Sequence, residues 1–378
     1  MTLETPKADI ANAPRAGKVE SFPSGRLTFL APLPLPTGLP PTDHGHAVGE
    51  VNDRYLDFGV GLPPVFGWQV TLGGPFGLFV MVAFVCPMTA FLMFYWLGNG
   101  LPDAIHAFWG VIEISFWIGF WGGGGLMLWW LVASVIELKK KSQVIPTRFN
   151  RQRREVCFVP NGHREPIFVP WEELVAWVTE AQGVTEYGVQ RQYGFGVGFL
   201  HPQTGEKYTL EFQAYGLPQA ISNWEAIRAY MEYEVHILKE IQDPLELQGP
   251  DDPPWEGVHV FRNARKRLHE EYREGKRGVH YLTGWYLYHL MTFWTLPNRL
   301  VEWEVRKIKR MTRKTLPRAM AEWSEPLSES EWAKPSETFK RLSQKVREKQ
   351  KARPGRLPYE VFAEVYAEED CLPLASTN

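Results

Sequence analysis

The chain has 378 residues, of which 44% are hydrophobic, 14% aromatic and 22% charged, with a formal net charge of −2. That balance excludes a strongly basic nucleic-acid binder, and the length leaves room for two domains, at least one with a core of ordinary size. The cysteines, Cys86, Cys157 and Cys371, are odd in number and far apart. They make neither a disulfide framework nor a metal-ligand spacing, and they fit a reduced compartment.

The N-terminus has no apolar run, so no signal peptide is expected. Residues 22–41 read FPSGRLTFLAPLPLPTGLPP. This proline content predicts an extended or disordered segment over residues 1–55.

From Phe76 to Leu97 there are 22 residues without a charge. At about 1.5 Å per residue a helix of that length covers the roughly 30 Å apolar core of a bilayer. Pro87 lies near the middle and predicts a kink. A second run, Ile105–Ile136, has Glu113 as its only charge, and GNGLPD at Gly98–Asp103 joins the two. Residues 70–138 therefore read as a transmembrane hairpin. Lys139, Lys140, Lys141, Arg148, Arg151, Arg153 and Arg154 follow it, the joining loop has no Lys or Arg, and residues 1–75 carry five basic and seven acidic groups. The positive-inside rule then predicts both termini in the cytoplasm of a bacterial inner membrane, with only the tight loop outside.

The second run contains FWGGGGLMLWW at Phe120–Trp130. Gly119 and Gly123 stand in GxxxG spacing, and Gly122, Gly124 and Gly125 widen the groove. Small residues let helices approach closely in lipid, so this face is expected against the first span or a second copy of the chain. Glu113 lies near the outer end, where it reaches water, and reads as solvated rather than as part of an ion path.

Residues 143–242 change to strand patterning. EVCFV (Glu155–Val159) and EPIFVPW (Glu165–Trp171) flank Asn161-Gly162, a hairpin-turn signal. Trp171–Glu180 fits a strand or a short helix. Gly194, Gly196 and Gly198 form a GxGxG string, but the alternation runs on into another strand-like segment. The glycines there are expected to admit a neighbouring aromatic ring rather than a dinucleotide. Lys207–Gly216 alternates after a turn at Gln203–Gly205. Pro218–Ile241 then reads as a helix, with Trp224, Ile227, Tyr230 and Met231 at helical spacing and Ser222 or Asn223 as its cap. Strands closed by one helix resemble a pleckstrin-homology-like domain. The expected fold class is an α+β membrane protein: a transmembrane hairpin, an antiparallel β (PH-like) unit, then C-terminal helices.

Residues 243–258 are rich in proline and acid and read as a linker; residues 259–378 read as helical. Residues 261–277 predict a charged helix. Residues 279–297 are apolar and aromatic without a formal charge. They leave three readings open: lying on the membrane surface, packed against the β-unit, or spanning. A basic run follows, and Lys139, Lys140, Lys141, Arg306, Lys307, Lys309 and Arg310 are candidates to meet anionic lipid headgroups. Two more helices are expected at Ser336–Lys351 and Pro358–Asp370. The acids of the last one, Glu360, Glu364, Glu368, Glu369 and Asp370, are candidates for a partner surface.

No nucleophile–base pair, HExxH, Walker A or CxxC pattern is present, so neither an enzyme nor a metal or cofactor is expected. From residue 139 onward there are 36 basic and 33 acidic groups, no nucleic-acid signature.

One resemblance goes further. The proline-rich start, the two-span hairpin, RFNRQRREVCFV…IFVPWEEL and the helix with NWEAIRAYME are followed by FWTLPNRLVEWEVRK…RKTLPRAMAEWSEPL. Over about residues 50–335 this resembles a bacterial family of two-span membrane proteins often encoded beside type VI secretion effectors. The resemblance implies an immunity or accessory protein that binds a secreted toxin effector, and it supplies no catalytic residues. Nuclease inhibitors are commonly acidic, whereas the C-terminal part is slightly basic. Blocking by charge mimicry would therefore fall to the acidic tail, and occlusion of an interface fits better. The alternative is a lipid-associated scaffold or sensor with no toxin partner.

Overall fold

The computed structural model describes residues 8–160, 162–163, 165–185, 188–201, 204–242 and 247–371. Asn161 of the expected Asn161–Gly162 turn, Gln203 of the turn at Gln203–Gly205, and positions 243–246 of the linker lie outside the described residues.

Four strands come first: β1 (Val19–Phe22), β2 (Gly25–Ala31), β3 (Val48–Val51) and β4 (Tyr55–Phe58). Helices α1 (Val65–Val80), α2 (Cys86–Trp96) and α3 (Gly100–Lys141) follow. Six strands then form: β5 (Thr147–Asn150), β6 (Glu155–Phe158), β7 (Ile167–Pro170), β8 (Val175–Thr185), β9 (Gly188–Leu200) and β10 (Lys207–Ala214). The remaining helices are α4 (Leu217–Met231), α5 (Val258–Arg273), α6 (Val279–Met291), α7 (Leu296–Thr315), α8 (Arg318–Trp323), α9 (Glu337–Ala352) and α10 (Pro358–Asp370). The chain divides into two compact units. One joins Met1–Gly61, Ile145–Pro244 and Leu316–Asn378; the other joins Leu62–Val144 and Leu245–Thr315.

In the first unit the described residues form two five-stranded antiparallel sheets, ordered β1-β2-β8-β9-β10 and β3-β4-β5-β6-β7. Each sheet combines an N-terminal hairpin with a meander from beyond the apolar helices. Two expectations are corrected here. Residues 8–55 are not disordered: β1 and β2 pair across a two-residue turn from Phe22 to Gly25, and β2 pairs with β8. Leu27, Phe29, Leu30, Ala31 and Leu35 are buried, so the prolines around them punctuate a strand that has a core to fill. Nor is the unit PH-like. Its strands come from both sides of the apolar helices, and neighbouring strands β4 and β5, paired from Tyr55↔Asn150 to Phe58↔Thr147, are separated in sequence by α1–α3.

The core lies between the sheets. Phe58 meets Phe195 and Phe212 edge-on at 6.0 and 4.6 Å between ring centroids, and Phe158 stacks on Phe199 at 4.5 Å. Such pairs contribute about 0.5–1.5 kcal/mol each beyond the area they bury. Trp177 fills the hollow left by the alternating glycines. It pairs with Gly196, where a Cβ would fall 2.4 Å from its ring. The GxGxG string is thus a groove for an indole. Trp171 follows β7 in a single 3-10 turn, and β8 begins at Val175.

Helix α4 is buried from Ala220 to Met231. It starts after Gly216 rather than at a Ser222 or Asn223 cap, and it ends at Met231 rather than Ile241, just before Tyr233 turns left-handed at φ 60°. Asn223 instead accepts the His44 backbone N–H at 2.8 Å, and Glu225 accepts both the N–H and the hydroxyl of Thr37.

Four arginines are buried in this unit. Arg148 makes a two-pronged contact with Asp57 at 2.6 and 2.8 Å and lies 3.6 Å over the Tyr55 ring. Arg151 donates to the carbonyls of Asp53 and Val235. Arg154 reaches Glu232 and Glu172, and Arg228 pairs with Glu225 and Glu234. Paired charge is what allows guanidinium groups to stay inside a protein. Three of the four arginines of RFNRQRR that sequence reading counts as charge beside the span, Arg148, Arg151 and Arg154, are therefore structural in the folded chain.

The expected 259–378 region does not fold as one piece. Residues from Leu316 belong to the two-sheet unit, where Met320 packs on Cys157 and Val159, whereas α5–α7 belong with α1–α3.

Candidate functional site

The second unit holds the features that set this chain apart. The first apolar helix runs Val65–Trp96 and the second Gly100–Lys141, and both are long and apolar enough to cross a membrane. In each, only 11% of the most apolar stretch is buried within the chain. Trp117, Trp121 and Trp129 are 53%, 71% and 70% exposed. A core helix of a soluble protein would cover such surface.

The first helix is interrupted by a π segment, Met81–Val85, immediately before Pro87. Proline lacks an N–H and its ring collides with the carbonyl one turn back. One widened turn relieves the clash.

The glycine groove has a definite partner. A Cβ at Gly119 would lie 3.1 Å from the Phe79 carbonyl oxygen, and one at Gly123 would lie 2.8 Å from that of Pro75. Ala104, Ser115, Gly119 and Gly123 make the buried seam of α3, and Ala83 is fully buried opposite. Nothing stands within 4 Å of the Cβ position at Gly122, Gly124 or Gly125. Two of the five candidate glycines therefore pack the hairpin, and three face outward. Glu113 is exposed, off this seam.

At the end of the hairpin where Val65 starts and Lys141 finishes, α5–α7 form a foot. Val301 and Val305 of α7 pack on Trp68, and the Trp68 indole donates to the buried Glu304 carboxylate at 2.7 Å. The Glu256 carboxylate accepts the Val65 N–H at 2.5 Å, opposite the positive end of α1. Glu302 does the same for α5 by accepting the Val258 N–H at 2.9 Å.

Residues 279–297 do not make a single helix. The 13 residues of α6 are too short to span, and Phe293 and Trp294, at φ 62° and 60°, turn the chain sharply into α7. No residue of α6 is buried. It leans on α1: Tyr288 donates to Gln69 at 3.0 Å, Phe293 meets Phe76 at 5.1 Å, and Thr292 sits against Gly73.

The lipid candidates divide. Lys139, Lys140 and Lys141 are exposed in the last turn of α3, with Lys141 paired to Glu137. On α7, Arg306 and Arg310 are exposed, whereas Lys307 lies over the Trp303 ring and Lys309 over Trp255. Exposed residues Arg299, Trp303, Arg306, Arg310 and Arg313 recur at helical spacing and make one basic face. Sequence reading named only part of this face; the three-to-four spacing was the available signal for the rest.

The tail acids are engaged within their own unit. Glu364 accepts from Lys349 at 2.7 Å and Arg356 at 2.5 Å, Glu368 pairs with Lys349, and Glu369 pairs with Arg341 and Lys345. Asp370 pairs with Arg15 at 2.9 Å and Glu360 with Arg356 at 3.9 Å. Hydrogen bonds from Lys349 and Arg356 pull the Glu364 carboxyl down to about 2. Val361, Phe362 and Val365 bury the opposite face of α10.

Among the described residues no group of three or more His, Cys, Asp or Glu side chains could hold a metal. Burial pushes the Cys157 thiol up to about 12, which keeps it protonated and unreactive. No protein family, curated protein or solved structure matches the chain.

Proposed function

We propose that this chain is a membrane-anchored binding protein: its hairpin crosses a bilayer, and its two-sheet unit presents a rigid surface to a protein partner on the cytoplasmic side. The observation that carries this reading is the uncovered apolar surface of two helices that pack tightly on each other, through Gly119 and Gly123, and on little else. Lipid is the environment in which such surface costs nothing to expose. The orientation rests on Lys139, Lys140 and Lys141 at one end, against a connecting turn at Leu97–Asn99 without Lys or Arg at the other. Under this reading the membrane is the bacterial inner membrane that the family resemblance implies.

The partner class rests on the resemblance to proteins encoded beside type VI effectors: a secreted toxin that this chain neutralises. The acidic helix α10 is neutralised by its own unit, so charge mimicry of a nucleic acid has no free face there. Occlusion of the toxin's working surface is the mode that fits.

The test is purification of the tagged full chain from its native host in mild detergent, with mass spectrometry of what accompanies it. A single stoichiometric partner, toxic when expressed without this protein, is the expected result. Recovery of the chain with lipid alone contradicts the immunity reading and favours a lipid-associated scaffold, for which the basic face of α7 is the specific support.

A further inference from the structure

The foot contains a cleft of about 460 Å³, lined by Val258, His259 and Arg262 from α5 and by Arg299, Glu302 and Arg306 from α7. Three guanidinium groups border it. Among the described residues none of the three has a carboxylate within ion-pair distance. Arg306 makes one hydrogen bond, from Nε to the Glu302 carbonyl. Glu302, the one acid in the lining, is committed to the Val258 N–H.

A second cleft of the foot is a useful contrast. Arg267 and Arg277 line it too, but both pair with Glu271 there, and Arg277 stacks on Tyr281 at 4.4 Å. Its charges are already matched. Those of Arg262, Arg299 and Arg306 are not.

We infer that the cleft between α5 and α7 binds a phosphate group, presented by an anionic lipid headgroup or by a soluble phosphate. Guanidinium groups match phosphate oxygens in pairs and hold them with charge-assisted bonds. The neighbourhood favours the lipid. The same helix α7 packs on Trp68 at the start of the first apolar helix, and α6 offers uncovered apolar surface beside it. Basic pockets at that depth suit phospholipid headgroups. The lipid source rests on the membrane reading above; the phosphate chemistry does not.

The experiment uses the full chain in a neutral detergent, with two probes. Native mass spectrometry reads retention of added phosphatidylglycerol against phosphatidylcholine, and calorimetry reads binding of inorganic phosphate. Expected is retention of one phosphatidylglycerol, preferred at least tenfold over phosphatidylcholine. That preference is lost in Arg262→Gln/Arg299→Gln/Arg306→Gln and kept in Arg310→Gln, whose side chain lies on α7 outside the cleft. Arg262→Gln alone removes no hydrogen bond or ion pair among the described residues and, with an unchanged melting temperature, serves if the triple variant does not fold. Equal retention by wild type and cleft variants, together with no phosphate binding, overturns the site. Phosphate binding that the variants abolish, without a preference between the two lipids, overturns the lipid source and supports a soluble phosphate. Because the phosphate arm needs no bilayer, it reads the cleft whether or not the hairpin spans a membrane.

Discussion

Gly123 lies against the backbone of Pro75: a Cβ at Gly123 would fall 2.8 Å from the Pro75 carbonyl oxygen and 3.0 Å from the Phe79 Cβ. That contact accounts for Gly123, and the one with Phe79 for Gly119, in a helix of 42 residues; Gly122, Gly124 and Gly125 face open space. Gly123→Val has nowhere to put its side chain without parting the helices. Overpacking of this kind costs roughly 1–3 kcal/mol. Gly124 has open space, so Gly124→Ala should be neutral or add up to about 1 kcal/mol of helix preference. Thermal unfolding of the two variants in detergent checks the contrast. Equal melting temperatures would mean that the seam is not where the geometry puts it.

The Arg148–Asp57 pair is enclosed between neighbouring strands β4 and β5, with side chains only 4% and 9% exposed. Arg148→Met strands a buried carboxylate and should destabilise the chain by about 3–5 kcal/mol. The double variant Arg148→Met/Asp57→Leu should recover much of that loss, since an apolar pair of similar volume replaces the charges without stranding either. Denaturant unfolding of the single and double variants measures it. A double variant no more stable than the single one would show that the pair does more than neutralise itself.

Docking of α10 depends on pH in a defined direction. The Glu364 carboxyl is lowered from 4.5 to about 2 by Lys349 and Arg356. A depressed folded value means that the contribution is complete above 4.5 and lost as the pH falls through about 2. Glu369 is lowered in the same way, first by Lys345. Amide exchange across Pro358–Asp370 should stay slow, relative to the intrinsic rate, down to about pH 4.5 and lose protection below it. Protection unchanged down to pH 2 would show that Val361, Phe362 and Val365 hold the helix alone.

Gly196 offers a sharp test of the indole groove. Gly196→Val would drive a side chain into the Trp177 ring, whose atoms lie 2.4–2.7 Å from the Cβ position. A loss of about 1–3 kcal/mol is expected, read by the quenching and shift of tryptophan fluorescence during unfolding. An unchanged midpoint would mean that the sheet adjusts freely at this point.

Much of this was legible locally. The helix at Pro358–Asp370 falls where its amphipathic pattern puts it, and Ser336 caps α9 by accepting the Phe339 N–H. Gly196 of GFGVGF admits a ring because Trp177 stands opposite it in register, whereas Gly194 and Gly198 face Thr179 and Val175. What sequence reading missed was non-local. Nothing near β4 announces that its partner β5 lies beyond two apolar helices. Nothing in a proline-rich stretch announces that Leu27 and Phe29 will meet Val175 and Trp177, since the strand it joins comes nearly 150 positions later. Likewise, the arginines of RFNRQRR show their charge in the sequence but not their burial, which depends on Asp57, Glu232 and Val235 from distant segments. The site was legible as two apolar helices with a basic end; the cleft needed α5 and α7 side by side.

The most direct test of the central claim places the full chain in lipid nanodiscs and measures labelling by a hydrophilic maleimide. Cys371, exposed just after α10, should react at once. Cys157 is buried and protonated and should react only on denaturation. Cys86 is exposed on the protein surface but lies within the uncharged run Phe76–Leu97. A bilayer-spanning hairpin predicts that Cys86 stays unlabelled in the nanodisc and reacts once detergent and denaturant expose it. Labelling of Cys86 as fast as Cys371 in the intact disc would contradict the account, because it would put water where the account puts lipid.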